Sequence, residues 1–158
     1  MNKIVLNAVL LSTAVFGTVV TYAQAQQAPK FVSNIEGVKQ YTMNNGLKVL
    51  LIPDASQSNV IVNIVYNVGS KNEGYGEKGM AHLLEHMLFK STKKLGDIKK
   101  MLSDKGGNAN GTTWYDRTNY FEIFPSNEEN LRWALEMEAD RMTNATILQS
   151  DLDKEFSV

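Results

Sequence analysis

Apolar and polar residues along this chain follow two periods, one typical of strands and one typical of helices. Residues 40–43 and 47–52 are strand-like and flank an Asn-Asn-Gly triplet at 44–46, which is a signal for a hairpin turn. Residues 60–68 are almost continuously apolar, and this pattern predicts a strand that is buried on both faces. The first half of the domain is therefore predicted to be a hairpin followed by a third strand.

Helices and a second hairpin are predicted further along. Residues 80–89 have one apolar face, as expected of an amphipathic helix, and residues 97–104 predict a shorter helix. A glycine-rich loop at 69–79 leads into the first of these helices. Strand-like residues at 111–114 and 118–124 predict the second hairpin.

A capping signal marks the start of a longer helix. Ser126 and Glu129 have the spacing of a capping box, so a helix is expected from Ser126 to about residue 142. Another helix is expected to start near Ser150. Strands interleaved with helices of one apolar face predict an α+β fold, a two-layer sandwich of a mainly antiparallel sheet with helices on one face.

The N-terminus resembles a secretory signal peptide. Lys3 precedes a mostly apolar stretch at 4–20, and an Ala-Gln-Ala cleavage site follows at 23–25. We expect residues 1–25 to be removed on export, to the periplasm or outside the cell, with residues 26–36 as a linker and 37–158 as one domain. The alternative is an uncleaved membrane anchor, but the stretch contains polar residues and is short for a span, so stable membrane insertion is not expected.

Charge and cysteine content limit the function classes. The 158 residues carry 16 basic and 17 acidic side chains, mixed along the chain, for a net charge of −1. Neither nucleic acid nor an anionic membrane is therefore an expected partner. The chain has no cysteine, so any metal site must be built from histidines and carboxylates.

Candidate chemistry lies in the first predicted helix. Both histidines of the chain, His82 and His86, are four residues apart, so on a helix they lie on one face and can bind one metal ion. Glu85 lies on the flank of that face, away from the apolar stripe, and is placed to act as a general base. The competing interpretation, ordinary packed or solvated side chains, fits less well because no other polar residue shares this arc.

Three sequence blocks resemble the pitrilysin/insulinase family of zinc metallopeptidases, which includes the mitochondrial processing peptidases. The first is the H-x-x-E-H motif at 82–86 with the preceding segment 69–73, the inverse of the commoner H-E-x-x-H order. The second is the Gly-Gly-x-x-Asn and Arg-Thr-x-Tyr segment at 106–122, and the third is residues 136–142. The resemblance covers roughly residues 36 to 158.

This resemblance implies a zinc endopeptidase that acts on peptides or unfolded polypeptides. His82 and His86 would be zinc ligands, Glu85 the catalytic base, and Asn110 a residue that binds a substrate strand. The family also encloses its substrate with later homologous domains, so a homologous C-terminal domain or a partner subunit is expected. The alternative function is a non-catalytic zinc-binding subunit or fragment that needs a partner chain.

The third zinc ligand is an open question in the sequence. By the resemblance, Glu155 matches a glutamate that supports the site, and the ligand itself would lie about two helical turns later, near position 162. We therefore expect the chain to be the N-terminal part of a longer domain. Glu138 and Glu155 are the internal alternatives, although a buried Glu138 is expected to pair with Arg141 or Arg132.

Overall fold

The structure is a computed structural model, and it describes residues 28–156. The expected signal peptide, residues 1–25, lies outside the described residues. The chain divides into two compact units, Met1–Asp54 and Ala55–Val158. The sequence predicts one domain over 37–158, and the boundary between the two units lies after Asp54.

The first unit contains a three-stranded antiparallel sheet in the order β1-β2-β3. Its strands are β1 (Lys30–Ile35), β2 (Val38–Thr42) and β3 (Lys48–Leu51). β2 and β3 form the hairpin predicted around the Asn-Asn-Gly triplet, with Thr42 opposite Lys48. That part of the prediction is confirmed.

Strand β1 occupies most of the range 26–36 that the sequence predicts as a linker. Its turn to β2 has positive φ at both central residues, 51° at Glu36 and 90° at Gly37. This is the backbone of a type I′ hairpin turn, in which glutamate is an unusual first residue. Residues 30–35 are therefore a strand and not a linker. The sequence has only a weak turn signal at this point, and the strand forms because β1 pairs with β2.

The second unit contains the remaining elements. Its strands are β4 (Asn59–Tyr66), β5 (Ser91–Thr92), β6 (Asn108–Thr113), β7 (Thr118–Pro125) and β8 (Ala145–Thr146). Its helices are α1 (Met80–Met87), α2 (Ile98–Asp104), α3 (Glu128–Asn144) and α4 (Gln149–Phe156), with a 3-10 turn at Ser70–Asn72. The main sheet has the antiparallel order β4-β7-β6, and β5 pairs with β8.

Helices cover one face of the main sheet. Apolar side chains from β4, β7, α2 and α3 form the core, namely Val62, Phe124, Ile98, Leu102, Ala134 and Met137. Burial of these side chains holds the helices against the sheet, since each removes apolar surface from water. The predicted α+β arrangement, an antiparallel sheet with helices on one face, is confirmed for this unit.

Strand β4 is buried on one face only, which corrects the prediction of burial on both faces. Val62 is 7% exposed, whereas Ile61 and Val65, on the opposite face, are 62% and 48% exposed. Alternation of exposure is the property of an antiparallel strand with one covered face. The continuous apolar run was misleading because residue type does not reveal what covers the second face.

Helix α3 begins one residue later than predicted. Its N-cap is Asn127, whose side-chain oxygen accepts a hydrogen bond from the Asn130 amide at 2.7 Å. The Ser126 and Glu129 capping box is therefore wrong, because asparagine is an equally good cap and lies next to serine. Within the described part of the chain, no helix combines the length and apolar character that crossing a membrane requires.

Candidate metal centre

Helix α1 carries the candidate site and is held at its start by Glu73. The N-cap, Gly79, has a left-handed backbone with φ of 90°. Glu73 accepts hydrogen bonds from the Gly79 and Ala81 amides, both at 2.9 Å. These bonds lower the pKa of Glu73, because they favour its charged form. A carboxylate at the positive end of a helix also stabilises that end, so the glycine-rich loop orients α1.

His82 and His86 direct the same ring nitrogen toward one point. Their Nε2 atoms are 3.2 Å apart, and the two rings are nearly perpendicular, with centroids 4.6 Å apart. One turn of helix places them in this relation because residues four apart lie on the same face. Two imidazole nitrogens that converge in this way can share one metal ion.

Glu85 lies beside the histidines but is far less exposed. Its side-chain oxygen lies within 4.8 Å of the ligand atoms of His82 and His86, and the residue is only 6% exposed. The Thr113 hydroxyl of β6 donates to Glu85 Oε2 at 2.7 Å. Strand β6 therefore fixes one carboxylate oxygen of Glu85 and leaves the other available.

Gly111 allows this close approach of β6 to α1. A Cβ atom at Gly111 would lie 2.9 Å from Glu85 Oε1 and 3.0 Å from the Phe89 ring, so a larger residue would require Glu85 and Phe89 to shift. Gly111 and Thr113 face the same side of β6, two residues apart. These two residues and Glu73 are parts of the site that the sequence did not predict. Their positions inside the resembling segments were the available signal.

Glu155 lies next to His86. Its Oε2 is 2.9 Å from His86 Nδ1, and its Oε1 is 2.6 Å from Lys90 Nζ. Bonds to Lys90 and then to His86 lower the pKa of Glu155 to about 2. A carboxylate on Nδ1 fixes the tautomer that leaves the Nε2 lone pair free for a metal.

The other internal candidate, Glu138, is engaged elsewhere. It is 2% exposed and accepts a hydrogen bond from Arg141, which also donates to Glu122 at 3.0 Å. The expectation that Glu138 pairs with an arginine is confirmed for Arg141. Arg132, the other arginine considered, pairs instead with Glu128 at 3.3 Å.

Asn110 is exposed on β6, with its side-chain oxygen accepting from the Gly111 amide at 2.9 Å. It lies within the strand, so the alternative of a turn residue is not supported. None of the hydrogen bonds found among residues 28–156 joins Asn110 to the histidines or to Glu85. The structure therefore leaves it on the same strand as Thr113 but outside the cluster.

The donor set fits zinc. Imidazole nitrogen and carboxylate oxygen are both zinc ligands, and catalytic zinc sites use three protein ligands and one open position. Among the described residues, His82, Glu85 and His86 form the group whose ligand atoms come together. Two convergent histidines and a carboxylate in H-x-x-E-H order on one helix are typical of a class of metallopeptidases.

Comparison with known proteins agrees with this class. The profile of the family described as "Insulinase (Peptidase family M16)" matches residues 48–158. The zinc protease PqqE of Helicobacter pylori is 36% identical over 142 residues, which cover 88% of this chain and 31% of the relative. The β subunit of the rat (Rattus norvegicus) mitochondrial-processing peptidase is 31% identical over 135 residues, covering 84% of this chain and 27% of the relative.

A solved structure is also similar. The periplasmic protease PqqL from Escherichia coli has a TM-score of 0.73 and 26% identity, over 80% of this chain and 15% of that one. The chain belongs to the insulinase family of peptidases, M16. It spans less than a third of the length of the curated relatives it matches.

Proposed function

We propose that this chain carries two of the metal ligands, His82 and His86, and the proton-transfer group, Glu85, of a zinc-dependent endopeptidase that hydrolyses peptides or unfolded polypeptides. The observation that carries the proposal is the convergence of His82 Nε2 and His86 Nε2, 3.2 Å apart, beside the Glu85 carboxylate. Family membership and the zinc protease name of the Helicobacter pylori relative support it.

Each residue of the cluster has a distinct part in this mechanism. His82 and His86 would hold zinc, and Glu155 keeps the proton of His86 on Nδ1. A zinc ion held there would lower the pKa of a water and polarise the substrate carbonyl. Glu85 takes the proton of the attacking water at Oε1, while Thr113 holds Oε2, and then passes that proton to the leaving amine.

The substrate is proposed to bind as an added strand beside β6. β6 ends the order β4-β7-β6 among the described strands, and it approaches Glu85 through Gly111 and Thr113. An extended peptide there would gain main-chain hydrogen bonds without a requirement for sequence. Asn110, exposed on the same strand, is proposed to help fix that peptide.

Replacement of Glu85 tests the catalytic assignment. Glu85→Gln should lower peptide hydrolysis by about 10²–10⁴-fold while the zinc content stays at the wild-type level, because the general base is lost and the ligands are kept. Cleavage of an unstructured fluorogenic peptide and metal analysis measure both. Glu136→Gln, an exposed glutamate on α3, is the control and should change neither. Loss of zinc in Glu85→Gln would make Glu85 structural.

A second function, a zinc-binding subunit or fragment that needs a partner chain, is favoured by a specific observation. The chain covers less than a third of the length of these relatives, and one of them is named as a subunit of a processing peptidase. We propose a homologous C-terminal domain or subunit as that partner. If the zinc-loaded chain cleaves a peptide only after such a domain is added, this function is supported. Peptide cleavage by the chain alone would reject it.

Export is also proposed. Support comes from the signal-like residues 1–25 and from the Escherichia coli protein, which is named a periplasmic protease. Intact mass spectrometry of protein from its source should show a mature N-terminus at or near Gln26. Protein that retains residues 1–25 would contradict cleavage.

A further inference from the structure

Two exposed aromatic side chains lie beside the candidate metal centre. Trp114 and Tyr115, in the loop between β6 and β7, are each 70% exposed. Together with Ser70, Glu73, Gly79, His82 and Thr113 they line a cavity of about 270 Å³. The proposed mechanism uses His82 but assigns no part to either aromatic residue.

The backbone of this loop is fixed although its side chains are open. The Ser70 amide donates to the Trp114 carbonyl at 3.0 Å, and the Lys71 amide donates to the Tyr115 carbonyl at 2.9 Å. A Cβ atom at Gly69 would lie 2.2 Å from the Trp114 carbonyl oxygen, so this contact requires glycine. The backbone from which the two rings project is therefore held in place.

The segment that holds the loop also leads to the metal helix. The Gly69 amide donates to the Asn72 side chain at 3.1 Å, which closes the 3-10 turn. The next residue, Glu73, binds the Gly79 and Ala81 amides at the start of α1. The cavity wall is thus connected, through hydrogen bonds, to the helix that carries His82.

Two exposed aromatic side chains on a fixed backbone are well suited to binding a ligand. Tryptophan and tyrosine offer large rigid contact areas and lose little conformational entropy when a ligand covers them. Because the loop is already held, little ordering energy is lost on binding. Exposed aromatic residues in a set position are accordingly typical of recognition surfaces.

Size and charge define the occupant of the cavity. A volume of about 270 Å³ is below the roughly 300–1,000 Å³ of cavities that hold whole small molecules, so one side chain is the appropriate ligand. Glu73 is the acidic residue in the lining, and both its carboxylate oxygens are bound to backbone amides. The exposed rings of Trp114 and Tyr115 supply the aromatic surface of the lining, which favours a large apolar or aromatic side chain, and a cationic side chain is the competing ligand that the binding test includes.

We propose that Trp114 and Tyr115 form a specificity subsite that binds one large apolar or aromatic side chain of a peptide substrate. The subsite lies next to His82, so an occupied subsite would set which peptide bond reaches the metal centre. This inference deepens the proposed peptidase function and rests on it for its biological meaning. Binding itself can be measured without catalysis.

The test measures binding of three fluorescein-labelled decapeptides by anisotropy to the 158-residue chain. The peptides share an Ala-Gly-Ser host sequence and differ at one central position, which is phenylalanine, alanine or lysine. We expect the phenylalanine peptide to bind about tenfold more tightly than the other two, because its ring would contact an aromatic side chain and bury apolar surface. Equal affinity for all three, or preference for lysine, would overturn the subsite.

Variants connect the preference to the two rings. Trp114→Ala and Tyr115→Ala should each reduce the phenylalanine preference to twofold or less. Tyr75→Ala removes a fully exposed aromatic residue outside the cavity lining and is the matched control, which should keep the preference. Unchanged preference in both cavity variants would overturn the proposal. Circular dichroism checks that each variant is folded. If Trp114→Ala is unfolded, Trp114→Phe takes its place, and we expect it to show an intermediate preference for the phenylalanine peptide.

Fluorescence gives an independent readout of the position of the peptide. The chain has two tryptophans, so Trp133→Phe leaves Trp114 as the reporter. The phenylalanine peptide should shift its emission saturably, and an unchanged spectrum at saturation would overturn the proposal. All titrations are repeated with zinc and with chelator. If the chain prefers the phenylalanine peptide but does not bind zinc, the peptidase function is refuted and the subsite stands. If the chain binds zinc but shows no such preference, the subsite is refuted and the peptidase function stands.

Discussion

Two clusters of acid and base side chains in the second unit differ in exposure. On α1, the metal-centre cluster of His82, Glu85 and His86 directs its ligand atoms to one point, with both histidines exposed. Between β7 and α3, the buried cluster of Glu122, Glu138 and Arg141 is at most 2% exposed. The first arrangement is open to a ligand, whereas the second supplies its own counter-ion.

The difference follows from the surroundings of each cluster. Arg141 donates to both Glu122 and Glu138 and lies over the Tyr120 ring, 4.3 Å from its centroid. Low polarity makes such a group costly unless it is paired, and Arg141 Nη2 pairs with one oxygen of each carboxyl, while the second oxygen of each has no hydrogen-bond partner. The metal-centre cluster has water access, so convergent histidine nitrogens are tolerated there until an ion binds. Ionisable residues thus indicate a ligand site only where the protein leaves them accessible.

The largest expected effect concerns the open cluster. His82→Ala combined with His86→Ala should weaken zinc binding by more than about 100-fold, since loss of a supporting residue alone costs about 10–100-fold. Zinc titration against a chromophoric chelator measures it. Arg141→Met, if folded, is the control from the buried cluster and should bind zinc with unchanged stoichiometry. Wild-type zinc affinity in the double variant would place the metal elsewhere.

The next effect concerns stability and the buried cluster. Arg141→Met should lower the free energy of unfolding by about 3–5 kcal/mol, because two buried carboxyl groups lose their cation. Arg132→Met, from the exposed pair with Glu128, is the matched control and should cost less than about 1 kcal/mol. Urea denaturation measures both. Similar values for the two variants would mean that the buried cluster is not electrostatically coupled.

A smaller effect is expected in the pH dependence of stability. Burial, and then its bond to Glu138, raises the pKa of Glu122 from 4.5 to about 9. A carboxyl with a raised folded-state pKa binds its proton more tightly when folded, so its stabilisation is complete below pH 4.5 and is lost as the pH rises toward 9.

Glu122→Gln should therefore flatten the fall in the free energy of unfolding across that interval, because the amide cannot lose a proton. Urea denaturation at a series of pH values measures the profile. Glu129→Gln, on the exposed start of α3, should leave it unchanged. A wild-type slope in Glu122→Gln would show that Glu122 is ionised when folded.

The smallest effect tests the start of α3, the helix that carries two members of the buried cluster. Asn127→Ala should cost about 1 kcal/mol, because the Asn130 amide loses its acceptor. Ser126→Ala should change stability by less than about 0.5 kcal/mol. Thermal unfolding compares them, and a larger loss in Ser126→Ala would restore the serine cap that the sequence predicts.

Local patterns in the sequence determined much of the second unit. The i, i+4 spacing of His82 and His86 requires only one turn of helix, so their convergence followed from the sequence alone. The second hairpin and the order of helices also followed from periodicity and turn residues. Pairing of Glu138 with an arginine followed from the cost of a buried charge.

Tertiary structure decided the contacts between segments that are far apart in the sequence. Thr113 reaches Glu85 across 28 positions, Gly111 leaves room for that contact, and Glu155 reaches His86 across 69 positions. The covered face of β4 and the strand β1 likewise depended on which element packs or pairs there. Sequence patterns report the conformation of a segment, whereas contacts between segments depend on packing of the whole unit, which residue spacing does not encode.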